Sequence, residues 1–352
     1  MQSKSKGAAE PVPFRWGLEG TVEVFDLESA ALKGNPLGDP HVRPVYVYLP
    51  PEYRADPGRR FPVIHYLTGF TGTGGMMLNL TSWAPNLPQR FEKLRAGGEA
   101  EPAILVLPDC FTRLGGSQYL DSSATGRYET HLIEEVVPEI DARYRTLADR
   151  AHRGVMGKSS GGYGALVQGM RHSDLFSAIA CQSGDMAFEY CYLPDFPKTA
   201  TALWRHGGLL PFLRAFEERE KKSQEMMTAI NVIAMASCYS PNPDRPGLGF
   251  DLPFDEETGA LRGEVWERWL AHDPVRMIEE REEALRRAAL LFLDCGIRDE
   301  FNLHVGARIF RQRLREKGIP HVHEEFDDGH MKINYRYDRS LALLSRTLSE
   351  RD

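Results

Sequence analysis

The hydrophobic pattern of the chain switches repeatedly between short apolar runs and helical spacing. Thr21 to Leu27 alternates Val22, Val24 and Leu27 with polar residues, as a half-buried strand does. Arg43 to Leu49 sets Val45, Val47 and Leu49 on one side and Tyr46 and Tyr48 on the other, a second strand that Pro50-Pro51 ends. Phe61 to Leu67, Ala103 to Leu107, Arg153 to Met156, Ser177 to Gln182 and Leu290 to Asp294 are short and mostly apolar, as strands buried on both faces require. His321 to Phe326 completes the strands. Between these runs, Pro88 to Gly97, Gly162 to Met170, Asn302 to Lys317 and Tyr337 to Leu348 read as helices. The strongest helical pattern is Tyr128 to Tyr144. Leu132, Ile133, Val136, Val137, Ile140 and Tyr144 share one face, with Glu129, Glu134, Glu135 and Glu139 outward. Pro138 stands inside it and is placed to kink it.

Strand and helix alternating in this way predict a mostly parallel α/β sheet with helices on both faces. Functional residues then belong in the loops at the carboxyl ends of strands. The rhythm breaks from about 186 to 275, where Phe212 to Met235 reads as mainly helix and Pro241 to Pro253 as a Pro-rich loop. This stretch is expected to be a lid-like insertion in a single domain spanning 1–352. Ala30 to Pro40 reads as a loop, and residues 1–14 as a disordered lead.

Composition narrows the function classes. At 352 residues and 42% hydrophobic, the chain can bury a large core. A net charge of −7, with basic residues interspersed among acids as in Arg214 to Lys222, excludes a nucleic-acid surface. The five cysteines (Cys110, Cys181, Cys191, Cys238, Cys295) lack metal-ligand spacing, and their odd number prevents complete pairing within the chain. They read as buried free thiols in a reducing compartment. No metal and no organic cofactor is implied. No run of about 18 apolar residues exists to span a membrane. Met1 to Gly7 has no apolar core behind it, so no signal peptide is visible and a cytoplasmic location is expected. A removed leader would allow secretion. Nothing in the pattern speaks to oligomeric state.

The candidate chemistry centres on Gly157-Lys158-Ser159-Ser160-Gly161. Gly-x-Ser-x-Gly between a short buried strand and a helix of small residues is the pattern of a nucleophile elbow, which exposes a serine Oγ above the sheet. A phosphate-binding loop, the other reading of Gly-Lys-Ser, needs a Gly where His152 stands, and is excluded. A serine needs a base, and the base an orienting carboxylate. His330, in Asp327-Asp328-Gly329-His330 just beyond the last strand, is the candidate base. His321 and His323 sit at the wrong end of that strand, and His304 within a helix. Asp299 falls in the loop after Leu290 to Asp294, at the right place for the acid. Glu300 is the next candidate, and Asp299 could also cap the following helix. Thr68 to Gly75 is a Gly-rich loop directly after a buried strand. Its Phe70 amide, with Gly69 beside it, and the Ser160 amide are the candidate donors to an oxyanion.

Several stretches together resemble the esterase D-type α/β hydrolases. They are Arg43-Pro44-Val45-Tyr46-Val47-Tyr48-Leu49-Pro50-Pro51, Tyr66-Leu67-Thr68-Gly69-Phe70-Thr71, the Gly-Lys-Ser-Ser-Gly-Gly elbow, Asp294-Cys295-Gly296-x-x-Asp299 and Gly329-His330. Tyr119-x-Asp121-Ser122 and Gly126-Arg127-Tyr128-Glu129 add to the likeness. That family includes S-formylglutathione hydrolases, feruloyl and other carbohydrate esterases, and the antigen 85 mycolyltransferases. The resemblance implies an α/β-hydrolase fold and a Ser159–His330–Asp299 serine esterase acting on a small-molecule ester through an acyl-enzyme. An acyltransferase, a thioesterase of the formylglutathione type and a non-catalytic binding protein are the other readings. Thr68-Gly69 replaces the His-Gly of many members, and Lys158 and Ser160 replace His and Met in the elbow. Because the oxyanion donors are backbone amides, these departures bear on substrate choice rather than on the chemistry.

Overall fold

The computed structural model describes residues 17–245 and 247–350. The expected disordered lead at 1–14 lies outside the described residues. Eight strands form the central sheet: β1 (Thr21–Glu28), β2 (Val42–Leu49), β3 (Val63–Leu67), β4 (Ile104–Pro108), β5 (Arg153–Lys158), β6 (Ala178–Gln182), β7 (Leu290–Gly296) and β8 (Val322–Phe326). Their spatial order is β1-β2-β4-β3-β5-β6-β7-β8. β2 runs antiparallel to both neighbours, and all other pairs are parallel. The central strands β3 to β7 are buried along nearly their whole length, which is why they read as unbroken apolar runs rather than alternating ones.

Alternate residues of each strand feed two cores. On one face α1 (Leu87–Ala96) and α10 (Tyr337–Ser349) bring Phe91, Tyr337, Leu341 and Leu344 onto Tyr66, Met156, Ala180 and Phe292. Each such fully buried side chain contributes about 1.5–3 kcal/mol relative to exposure. On the other face α2 (Tyr128–Thr130, His131–Val136 and Val137–Arg143), α3 (Ser160–Arg171) and α9 (Leu303–Glu316) cover Val63, Val106, Val155, Ile179 and Leu293. The kink expected at Pro138 takes the form of a π-helical stretch over His131–Val136, where the Val137 amide bonds the Leu132 carbonyl. A proline cannot donate to the α-helical ladder, and the wider turn just before it accommodates the break.

Between β6 and β7 the chain leaves the sheet and forms α4 (Phe196–His206), α5 (Leu209–Glu218), α6 (Gln224–Tyr239), α7 (Gly263–Leu270) and α8 (Pro274–Arg286). The helical reading of 212–235 is met by two helices broken at 219–223, the second started by a Ser223 side-chain cap on the Met226 amide. Most aromatics of this region are core. Phe188, Phe212, Trp266 and Trp269 are buried, while Trp204 faces solvent. α8 packs back onto α3 and α9 and so belongs to the helical layer of the sheet.

Candidate active site

Ser159 stands where β5 turns into α3, with φ 59° and ψ −128°. The turn is possible because two backbones approach very closely. A Cβ on Gly161 would lie 2.0 Å from the Leu67 carbonyl oxygen, and one on Gly157 2.3 Å from the Gly161 carbonyl oxygen. The Ser159 amide donates to the Gln182 carbonyl at 3.0 Å, tying the elbow to β6, and the Ser159 carbonyl accepts from the Tyr163 amide at 2.9 Å. Strain collects around this point. Of the nine described non-glycine residues with positive φ, all but Trp83 lie in the loops that frame the cleft: Thr71, Gln118, Tyr119, Ser159, Ser183, Ala187, Asn302 and Lys332. Such backbone persists only where its surroundings over-determine it.

His330 and Asp299 meet across the ends of β7 and β8. His330 Nδ1 lies 2.8 Å from Asp299 Oδ2, and both side chains are buried. Oδ2 also receives the Cys295 thiol at 3.7 Å. Oδ1 accepts the Phe301 amide at 2.9 Å and the Leu303 amide at 3.4 Å. Asp299 thus meets the imidazole through Oδ2 and the turn leading into α9 through Oδ1, while the residue at the N-cap of α9 is Asn302, whose side chain makes no cap bond. Glu300 does not reach the imidazole nitrogens. Its Oε2 accepts the His330 backbone amide at 2.6 Å, so it holds the loop that carries the ring. The ring itself sits edge-on to Phe301, with centroids 4.9 Å apart. Ser159 and His330 line one cavity of about 440 Å³. Among the described residues no hydrogen bond joins the Ser159 hydroxyl to His330, as is common before substrate tightens such contacts.

The loop after His330 is anchored by charge. Arg336 donates from Nε to Asp294 Oδ2 at 2.8 Å and from Nη2 to Glu324 Oε2 at 2.6 Å. Asp294 is buried and its Oδ1 has no partner, and burial pushes its carboxyl up to about 7 against the pull of Arg336. Arg336→Ala should therefore destabilise the protein by about 3 kcal/mol, because it strands a buried carboxylate. A folded-state pKa above the unfolded value means that stability is lost as pH rises through the folded pKa, so the deficit should grow from pH 5 to pH 8. Urea unfolding at both pH values checks this, and an equal, small deficit at both would contradict it.

The candidate oxyanion donors face the same cavity. Phe70 and Ser160 line it, and among the described residues neither backbone amide meets an acceptor. Gly69 lies directly against the elbow: a Cβ there would stand 3.3 Å from Ser159 Cβ. Its carbonyl accepts the Gly72 amide, and the Thr71 amide donates to Gly115 at 2.7 Å. The Tyr119 hydroxyl donates to the Thr68 carbonyl at 2.7 Å, which pins the loop from beneath. Lys158 is half-buried, and burial lowers its ammonium pKa against the pull of Asp299 and Glu300.

Two parts of the cleft were not singled out from sequence. Asp185, in the loop after β6, lines the cavity and is only 7% exposed. Burial raises its carboxyl, opposed by hydrogen bonds to Oδ2 from the Tyr192 hydroxyl at 2.8 Å and Gln118 Nε2 at 3.2 Å. Ser160 Oγ adds a longer contact at 3.4 Å. Its place at the carboxyl end of a strand was the available signal. The second part is one face of α6, where Gln224, Met227, Thr228 and Asn231 recur at helical spacing and form the far wall. Of the aromatics in the region, Tyr192 reaches this cavity, and Tyr190 an adjoining one that opens beyond Phe301 and Asn302. The other histidines stand apart from the cavity. His172 pairs with Glu129, and His321 meets its own strand's approach at Ile319.

The sheet order and the serine elbow define an α/β hydrolase. Residues 40–340 match the family model described as "Putative esterase", and the chain belongs to this Esterase family. Two esterases of Mycobacterium tuberculosis, Rv1288 and MT1326, are each 26% identical over 301 residues, covering 82% of this chain and 52% of theirs. The chain thus spans about half the length of the curated relatives it matches. Among solved structures, a ferulic acid esterase superposes with a TM-score of 0.62 at 23% identity, covering 94% of this chain and 99% of that one. An S-formylglutathione hydrolase from Agrobacterium tumefaciens gives 0.57 at 18% identity, covering 95% and 98%. These likenesses carry the fold. Among the described residues no helix is long and apolar enough to cross a membrane.

Proposed function

We propose that the protein is a serine carboxylesterase that works through an acyl-enzyme on Ser159. The observation that carries this reading is the buried His330–Asp299 pair beside a serine held at positive φ in the same cavity. Ser159 Oγ attacks the ester carbonyl while His330 Nε2 takes its proton. Asp299, bonded at Nδ1, keeps the free nitrogen facing the serine and stabilises the imidazolium that forms. The tetrahedral oxyanion lies at the Phe70 and Ser160 amides, each worth about 3 kcal/mol in the transition state. His330 then protonates the leaving alcohol, and water activated by the same imidazole resolves the acyl-enzyme. A panel of p-nitrophenyl esters of increasing acyl length, with a feruloyl ester and a glutathione thioester beside them, tests the reading. Hydrolysis that a fluorophosphonate abolishes is expected. Failure to cleave any ester would sink it.

In the same reading the α4–α7 region acts as a wall, and as a lid, over the acyl group. Met227 is the apolar residue of α6 that lines the cavity. Met227→Ala should shift selectivity toward longer acyl chains by about tenfold, since each methylene is worth about 1–3 kcal/mol of discrimination. Relative kcat/KM across the ester panel measures it. One common factor for all chain lengths would make the wall structural only.

A further inference from the structure

The Phe70 amide can serve an oxyanion well only if its direction is fixed before substrate arrives. The Gly69–Phe70 peptide is planar and trans, so its carbonyl and its amide point opposite ways. The Gly69 carbonyl accepts the Gly72 amide at 2.9 Å, and that bond sets the direction of the Phe70 amide as well. Gly72 therefore has to stay in place. Its carbonyl accepts the Thr68 hydroxyl at 3.0 Å, so the residue is gripped at both of its backbone groups. Thr68 in turn is held by Tyr119, whose hydroxyl donates to the Thr68 carbonyl at 2.7 Å and stands 3.2 Å from Thr68 Oγ1.

Tyr119 comes from outside this loop, and its own placement is set firmly. Gln118 and Tyr119 are consecutive non-glycine residues at φ 50° and 57°, backbone that only strong surrounding contacts maintain. Those contacts come from α3. The Tyr119 carbonyl accepts Gln168 Nε2 at 2.7 Å, and a Cβ on Gly164 would fall 2.3 Å from the Tyr119 ring. The same segment meets the loop twice more. The Gly115 carbonyl accepts the Thr71 amide at 2.7 Å, and a Cβ on Gly115 would fall 2.7 Å from the Phe70 ring. Burial pushes the pKa of the Tyr119 hydroxyl up, so it stays a proton donor well past neutral pH. Neither Thr68 nor Tyr119 lines the cavity that holds Ser159 and His330.

We infer that Tyr119 and Thr68 are positioning residues for ester hydrolysis, their two hydroxyls aiming the Phe70 amide at the forming oxyanion without touching the substrate. The inference rests on the esterase reading above and adds to it what presets the oxyanion donors. It also gives Thr68, one of the departures from the family pattern, a share in the chemistry.

The test uses Tyr119→Phe and Thr68→Val, which each remove one hydroxyl and keep the ring or the branched shape. The probes are the p-nitrophenyl ester panel, an alkyl trifluoromethyl ketone, and the alcohol made by reducing that ketone. Ser159 Oγ bonds the ketone carbon, its proton passes to His330, and the carbonyl electron pair moves onto the oxygen held by the Phe70 and Ser160 amides. The alcohol has no carbonyl to attack and reports the cavity alone. In both variants kcat/KM should fall about ten- to hundredfold, by one common factor for all esters. The Ki of the ketone should rise by a similar factor, while that of the alcohol stays within about twofold of wild type. Thr68→Ser, which keeps the hydroxyl, should remain within about threefold of wild type in kcat/KM. Both variants within about twofold of wild type in kcat/KM and in ketone affinity would overturn the inference. Ketone and alcohol affinities that weaken together would overturn it too, since general loosening of the cleft produces that result. Thr68→Ser as impaired as Thr68→Val would overturn the part given to the Thr68 hydroxyl. If Tyr119→Phe fails to fold, the two Thr68 variants decide alone. Wild-type protein that cleaves no ester and binds no ketone would instead overturn the esterase reading beneath it.

Discussion

Ser159→Ala is expected to lower kcat/KM for every ester by about 10⁵-fold or more while leaving the unfolding free energy within about 1 kcal/mol of wild type. The size follows from the role. Without Oγ there is no atom to bond the acyl carbon, and only the oxyanion amides and the pocket remain to assist water. The fold should survive because the elbow is held by groups that the change leaves alone. Those are the close backbone approaches at Gly157 and Gly161 and the Ser159 amide bond to Gln182. The variant removes one hydroxyl that makes no protein hydrogen bond among the described residues. Residual activity within about tenfold of wild type, in protein free of other esterases, would remove Ser159 from the mechanism.

Asp299→Asn should cost about 10⁴-fold in kcat. An amide at Oδ2 presents a donor to Nδ1, favours the wrong tautomer and gives nothing to the imidazolium. Glu300→Gln is the informative partner. Glu300 bonds the His330 backbone and not its ring, and a carboxamide oxygen can still accept that amide. Its loss should stay below about thirtyfold, with the protein still folded. Steady-state kinetics on one ester decide between the two. If Glu300→Gln were crippled as badly as Asp299→Asn, the orienting acid would have been misassigned.

Much of this architecture was legible because buried strands leave a strong mark. The parallel core strands appear as unbroken apolar runs, and the elbow announces itself through glycines at positions where any Cβ would collide with backbone. The Ser159, His330 and Asp299 positions each follow a strand, and the structure brings all three to one end of the sheet. What was harder to read depended on long-range contacts. Asp299 and Glu300 are neighbours in sequence, and only the fold reveals that one meets the ring and the other the main chain. Asp185 carries no local pattern, since its meaning comes from Tyr192, Gln118 and Ser160 closing on one of its oxygens. Hydrophobicity sent Phe188, Phe212, Trp266 and Trp269 inward, and the cavity wall fell to the more polar face of α6. At Pro138 the expected break takes the form of a π-helical turn, a local change of helical pitch that accommodates the missing donor.

The central claim is covalent: an acyl group passes through Ser159. Rapid quenching of the wild-type enzyme in acid, milliseconds after mixing with excess p-nitrophenyl ester, traps whatever intermediate is present for mass spectrometry. The account predicts a mass increase equal to the acyl group, mapped by proteolysis to the peptide containing Ser159 and absent from Ser159→Ala. Turnover with no acylated protein at any quench time under conditions where acylation outpaces hydrolysis, or acyl mass on a peptide that lacks Ser159, would contradict it.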